Sequence, residues 1–149
     1  MSSTLITPIV AIFTGLILFS GFWLLITTAL SSFSGWTALA EAFPGGERPA
    51  GEILRGQILG FGPIRENNVT NLIATPSGLY LYPMALFAFR RPPILIPYSK
   101  IKYLETSKVL WSRSHEIEVN GTTRMRIRDR LLQELKGRGV SVPSDALSQ

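Results

Sequence analysis

The stretch LITPIVAIFTGLILFSGFWLLITTAL, residues 5–30, runs for 26 positions without a charged side chain. As a helix rising roughly 1.5 Å per residue it would reach about 39 Å, more than the ~30 Å hydrocarbon core of a bilayer. A buried core helix is disfavoured by this length and by apolar residues on every side. A cleaved signal peptide would want a basic start and a shorter apolar run, whereas this chain opens Met1-Ser2-Ser3-Thr4. Residues 1–30 therefore read as a retained transmembrane anchor, with Thr7-Pro8 a natural start because proline's missing donor is harmless in the first turn. Ala11 and Gly15 make one small-xxx-small pair and Gly21 adds a small position. Such a face suits helix pairing or plain contact with lipid.

Charge is distributed on one side of that run. No Lys or Arg precedes Arg48 and no acid precedes Glu41, so the net charge of +5 belongs wholly to the residues after the anchor. Cationic flanks resist translocation, which puts the N-terminus outside and the C-terminal domain in the cytoplasm, on a cell inner membrane. A basic domain beside a bilayer points to the anionic leaflet before nucleic acid. With no cysteine there is no disulfide framework, thiolate metal site or cysteine nucleophile.

Residues 31–50 form the link. Ser31-Ser32-Phe33-Ser34-Gly35 breaks the apolar run, and Ser34 can cap a short helix whose Trp36, Leu39, Ala40 and Phe43 fall on one stripe. A tryptophan just past a membrane span suits the headgroup level, so Phe33, Trp36, Leu39 and Phe43 are expected at the membrane interface. The other reading packs the same stripe on the domain. Pro44-Gly45-Gly46-Glu47-Arg48-Pro49 then ends the helix as a linker.

From residue 51 the texture changes to short apolar or alternating runs, at 53–59, 69–75, 79–82, 94–98, 101–105, 109–113, 115–119 and 123–128. Turn residues separate them, which predicts an antiparallel sandwich or barrel. At Asn120-Gly121 a two-residue loop would pair Ile117 with Arg124 and Glu116 with Met125, mixing apolar and charged residues on each face. A three-residue loop, for example a type I turn with Gly121 in a left-handed bulge, restores the pattern. Ile117, Val119, Met125 and Ile127 then share one face, and Glu116 and Glu118 share the other with Arg124, Arg126 and Arg128. Residues 129–137 carry Leu131, Leu132 and Leu135 on one side, a short helix that closes the domain at 138. Residues 139–149 read as a flexible tail.

Strands followed by one terminal amphipathic helix resemble the pleckstrin-homology-like (PH-like, GRAM-like) superfold. The string Asn71-Leu-Ile-Ala-Thr-Pro-Ser-Gly-Leu-Tyr-Leu-Tyr82, with Pro92-Pro-Ile-Leu-Ile-Pro-Tyr98 after it, is similar to bacterial membrane-anchored proteins of that kind. The likeness covers residues 34–138 and carries no catalytic residue. It implies one transmembrane helix followed by a small PH-like barrel or sandwich with a C-terminal helix. Residues 53–69 hold only Arg55 and Arg65, where phosphoinositide-binding PH domains concentrate several bases, so the likeness implies no specific headgroup.

The supply of catalytic chemistry is thin. His115 is the one imidazole, with Ser112 and Ser114 the nearest hydroxyls in sequence and no nucleophile-elbow pattern around them. One His and no Cys leave scattered carboxylates for a metal, and no Walker or dinucleotide glycine pattern is present. No enzyme, metal or cofactor is expected. The remaining signals are surfaces. Twelve Lys and Arg against five acids lie between Arg90 and Arg138. Of these, Arg90, Arg91, Lys100, Lys102, Arg124, Arg126 and Arg128 are candidates for touching anionic lipid or a partner. Met84-Ala-Leu-Phe-Ala-Phe89 is either an ordinary core strand or a patch that another subunit covers, with Phe87 and Phe89 as its anchors. The expected role is a non-catalytic, single-span accessory subunit docking on a larger membrane complex, its partners being the bilayer and other integral membrane subunits. A stand-alone module recognising anionic lipid is the second reading, an unrecognised enzyme the third, and nucleic acid is no expected partner.

Overall fold

A computed structural model of the chain describes residues 3–33, 35–65, 69–109 and 111–148. Helix α1 (Ser3–Phe33) is longer than the apolar run and continues through Pro8, forgoing one backbone hydrogen bond rather than starting there. Its hydroxyls fold back on its own carbonyls: Ser20 Oγ donates to the Leu16 carbonyl at 2.7 Å and Thr28 Oγ1 to the Leu24 carbonyl at 2.8 Å. Polar atoms on an apolar helix are thereby satisfied without water. Residues 6–29 are long and apolar enough to cross a membrane.

Gly35, with φ 78°, turns the chain into α2 (Trp36–Ala42). The apolar stripe read from the sequence is present, but it faces inward. Trp36 and Leu39 are fully buried in the core and Phe43 packs against it. The interfacial placement of Trp36, Leu39 and Phe43 is thus corrected: the core offers an apolar partner at closer range than any lipid. The Phe33 side chain and Ser34 lie outside the described residues. After α2 the expected linker does not swing free. Pro44 bridges Ile94, Gly45 N donates to the Pro93 carbonyl at 2.9 Å, and Leu95 N donates to the Phe43 carbonyl at 3.0 Å.

The described strands are β1 (Ile53–Arg55), β2 (Ile58–Phe61), β3 (Ile64–Arg65), β4 (Thr70–Ala74), β5 (Gly78–Pro83), β6 (Ile94–Pro97), β7 (Ile101–Val109), β8 (Ser112–Val119) and β9 (Thr123–Ile127). Among the described residues they form two antiparallel sheets, ordered β1-β4-β5-β6 and β3-β2-β9-β8-β7. The run at 53–59 is shared between both sheets. Gly56, at φ 65°, is the corner at which it leaves one and enters the other. The run at 101–105 extends into the long β7 because polar Thr106, Ser107 and Lys108 continue an edge strand, so the run at 109–113 is divided between the end of β7 and the start of β8. The Pro44 bridge lies against β6, at the end of the first sheet, and so shields that edge.

The hairpin between β8 and β9 has the three-residue loop that the alternation demands. Val119 pairs with Thr123, Ile117 with Met125 and Glu116 with Arg126. The turn differs in hand from the type I example, since Asn120 and Gly121 both have positive φ, at 55° and 69°, and Thr122 becomes the extra residue. Asn120-Gly121 suits a mirror-image turn, whose twist matches that of the strands. Gly121→Val is expected to lose about 1–2 kcal/mol, because a β-branched residue is strained there, read as a lower urea midpoint at unchanged m-value.

Helix α3 (Asp129–Gly137) lays Leu131, Leu132 and Leu135, all fully buried, against the sheets. The segment expected as a flexible tail adds Val140 and Ala146 to the same core. One apolar cluster therefore joins α2, both sheets, α3 and the C-terminal turn.

Candidate functional site

The run 84–89 is no core strand. Pro83 ends β5, and Ala85–Phe87 form a single 3-10 turn that stands out from the sheet toward α1. Trp23 of α1 meets it. The indole Nε1 donates to the Leu86 carbonyl at 3.4 Å, and the Trp23 and Phe87 rings lie 5.5 Å apart, with Phe19 stacked on Trp23 at 6.2 Å. Phe87 is thus half-buried beneath the helix, while Met84, Leu86 and Phe89 are exposed. Phe19, Ser20, Trp23, Leu24 and Leu86 line an open, almost wholly apolar groove between helix and turn. Thr27 is buried, and Thr28 and Ala29 are half-buried, so the helix is covered at these three positions near the end of the apolar run.

The basic candidates do not gather into one patch. Arg91 is buried, its guanidinium 5.2 Å over the Trp36 ring, whose Nε1 donates to the Pro92 carbonyl at 3.0 Å. Arg91 is a core residue, not a surface cation. Arg90 is exposed beside it, with φ 55°. On the second sheet, register sets acids beside the bases, with one acid also facing another. Glu118 of β8 lies between Lys102 of β7 and Arg124 of β9, and Glu116 lies between Glu105 and Arg126. Arg124 reaches Glu116 diagonally at 3.3 Å. Three bases set among three acids give little local potential, and exposed pairs of this kind add little stability. Lys100 and Arg128 are exposed outside this block.

His115 is fully buried and belongs to a chain of hydrogen bonds. The Tyr103 hydroxyl and Thr106 Oγ1 are 2.7 Å apart, Thr106 Oγ1 and His115 Nδ1 2.8 Å, and His115 Nε2 and Asp129 Oδ1 2.6 Å. One proton order satisfies every member: Tyr103 donates to Thr106, Thr106 to Nδ1, and Nε2–H to the carboxylate. Arg113 completes it, donating from Nε and an Nη to Asp129. That guanidinium above all holds the Asp129 carboxyl below the usual carboxylate range; burial opposes it less strongly, and the imidazole adds a smaller lowering effect than burial's. Asp129 opens α3, where negative charge also suits the helix N-terminus. The chain pins α3 to β7 and β8, and with His115 shut from solvent it presents no imidazole to a substrate. Ser112 and Ser114 take no part in its hydrogen bonds. Among the described residues no group of three or more His, Asp and Glu could hold a metal.

Sequence reasoning passed over Trp23, Leu86 and the Thr106-His115-Asp129 chain. Trp23 carried a signal, since an indole late in an apolar run wants a partner for its N–H. It also passed over Trp111, which is 97% exposed at the turn between β7 and β8. No protein-family model, curated protein or solved structure matches this chain.

Proposed function

We propose that the chain is a non-catalytic, single-span subunit that holds a PH-like domain in a fixed pose at a membrane surface and docks it on a larger membrane assembly. The observation that carries this reading is the double fastening of α1 to the domain, through α2 buried in the core and through Trp23 on the 84–89 turn. A flexible tether needs neither contact; a subunit presenting its domain at a set angle needs both. The PH-like reading is supported by the bent run shared between two sheets and by α3 closing the core. The asymmetry of charge supports a cytoplasmic domain with the N-terminus outside. Stand-alone recognition of anionic lipid is the weaker reading, because the bases on the second sheet are set among acids and Arg91 is internal.

Purification of the full chain from its own membrane in mild detergent tests the proposal. An integral membrane partner at fixed stoichiometry is the expected result. A lone monomer that binds anionic vesicles with steep salt dependence would overturn it in favour of lipid recognition.

A further inference from the structure

The exposed apolar turn at 84–89 has a position along α1 that can be read as a depth. Met84, Leu86 and Phe89 are 46%, 66% and 47% exposed. The domain covers Thr27 to Ala29, so the part of α1 left open runs from Ile6 to Ile26, every residue of it exposed except half-buried Trp23. That open run rises about 32 Å, close to the ~30 Å thickness of a hydrocarbon layer. If it fills the layer, the boundary falls near Ile26, and Trp23 lies three residues, or roughly 4–5 Å, inside it. Leu86 is fixed to Trp23 by its carbonyl and shares that depth.

Three backbone N–H groups of this segment are met within the chain, which lowers the cost of placing it where unmet polar groups are costly. Met84 N donates to the Val69 carbonyl at 2.8 Å, Phe87 N to the Met84 carbonyl at 2.8 Å, and Ala88 N to the Ala85 carbonyl at 3.3 Å. The Leu86 carbonyl has the Trp23 indole. Directly after Phe89 comes exposed Arg90, a cation of the kind that reaches lipid phosphates from a bilayer boundary.

We propose that 84–89 is a second membrane-embedded element, a short wedge whose Met84, Leu86 and Phe89 enter the acyl-chain boundary beside α1. The inference rests on the reading of α1 as a membrane span. Lipid is the occupant because the groove under Leu86 is continuous with the open face of α1 at Phe19 and Leu24. Its apolar tip also precedes an arginine in the order that a bilayer boundary presents.

The chain has no cysteine, so single labels are unambiguous. An environment-sensitive fluorophore is attached to Leu86→Cys, Phe89→Cys, Ile17→Cys and Trp111→Cys variants of the full chain in phosphatidylcholine–phosphatidylglycerol vesicles. Expected at 86 and 89 is quenching by spin labels high on the acyl chain and several-fold protection from iodide relative to 111. Labels at 86 and 89 open to iodide, with 17 quenched by lipid, would overturn the wedge and leave the span standing. Loss of lipid quenching at 17 would remove the span and the wedge together. Shielding of 86 and 89 from both quenchers would mean a protein cover and would also overturn the wedge.

Discussion

Trp36→Ala is expected to destabilise the domain by about 3–5 kcal/mol, because it empties the centre of the core. The indole is 0% exposed, meets Phe61 edge-on at 5.3 Å, bonds the Pro92 carbonyl through Nε1, and lies under Arg91. Its removal leaves a cavity, a carbonyl without its donor and a guanidinium without its ring. For a domain near one hundred residues each kcal/mol lowers Tm by roughly 4–8 °C, so the variant is expected to melt far below the parent or fail to fold. Thermal or urea denaturation of the detergent-solubilised full chain checks it. An indole resting among headgroups would give the opposite result, with domain stability unchanged and only membrane association weakened.

The second large effect is expected at Asp129. Asp129→Ala leaves the His115 Nε2–H with no acceptor in a fully buried position and Arg113 without its carboxylate, at a cost of about 2 kcal/mol from the imidazole. The loss is expected to show first as faster amide exchange in α3, whose start the carboxylate ties to β8. The same group sets an acid limit. Its pKa is lower folded than unfolded, so the stability it contributes is present above the unfolded carboxylate range near pH 4 and disappears as pH falls through the lower folded value. Urea midpoints measured from pH 6 downward should fall in the parent and flatten in Asp129→Asn. Equal slopes in the two proteins would assign the acid sensitivity to other carboxylates.

What could be read from the sequence was what depends on neighbours in the chain. The loop length between β8 and β9 followed from charges alternating with apolar residues in both strands, a period that only one register satisfies. The stripe on α2 was equally legible, yet periodicity defines a face without naming its cover, and Trp36 suits a membrane surface as well as a core. Length and apolarity identified α1, while its contact with Leu86 joins residues 63 positions apart and left no local trace. The run at 84–89 stayed open between a core strand and an exposed patch because unbroken apolarity is common to both. His115 was legible as the one imidazole, with only Ser112 and Ser114 near it in sequence, but Thr106 and Asp129 reach it across strand pairing and a helix start, which no spacing rule encodes.

The bend at Gly56 ties the two sheets mechanically. Because one continuous segment hydrogen-bonds β4 on one side of the corner and β9 on the other, neither sheet can open its shared edge without loading the other. The interior is expected to lose its slowest-exchanging amides in β4 and β9 at one common free energy, as a single unfolding event.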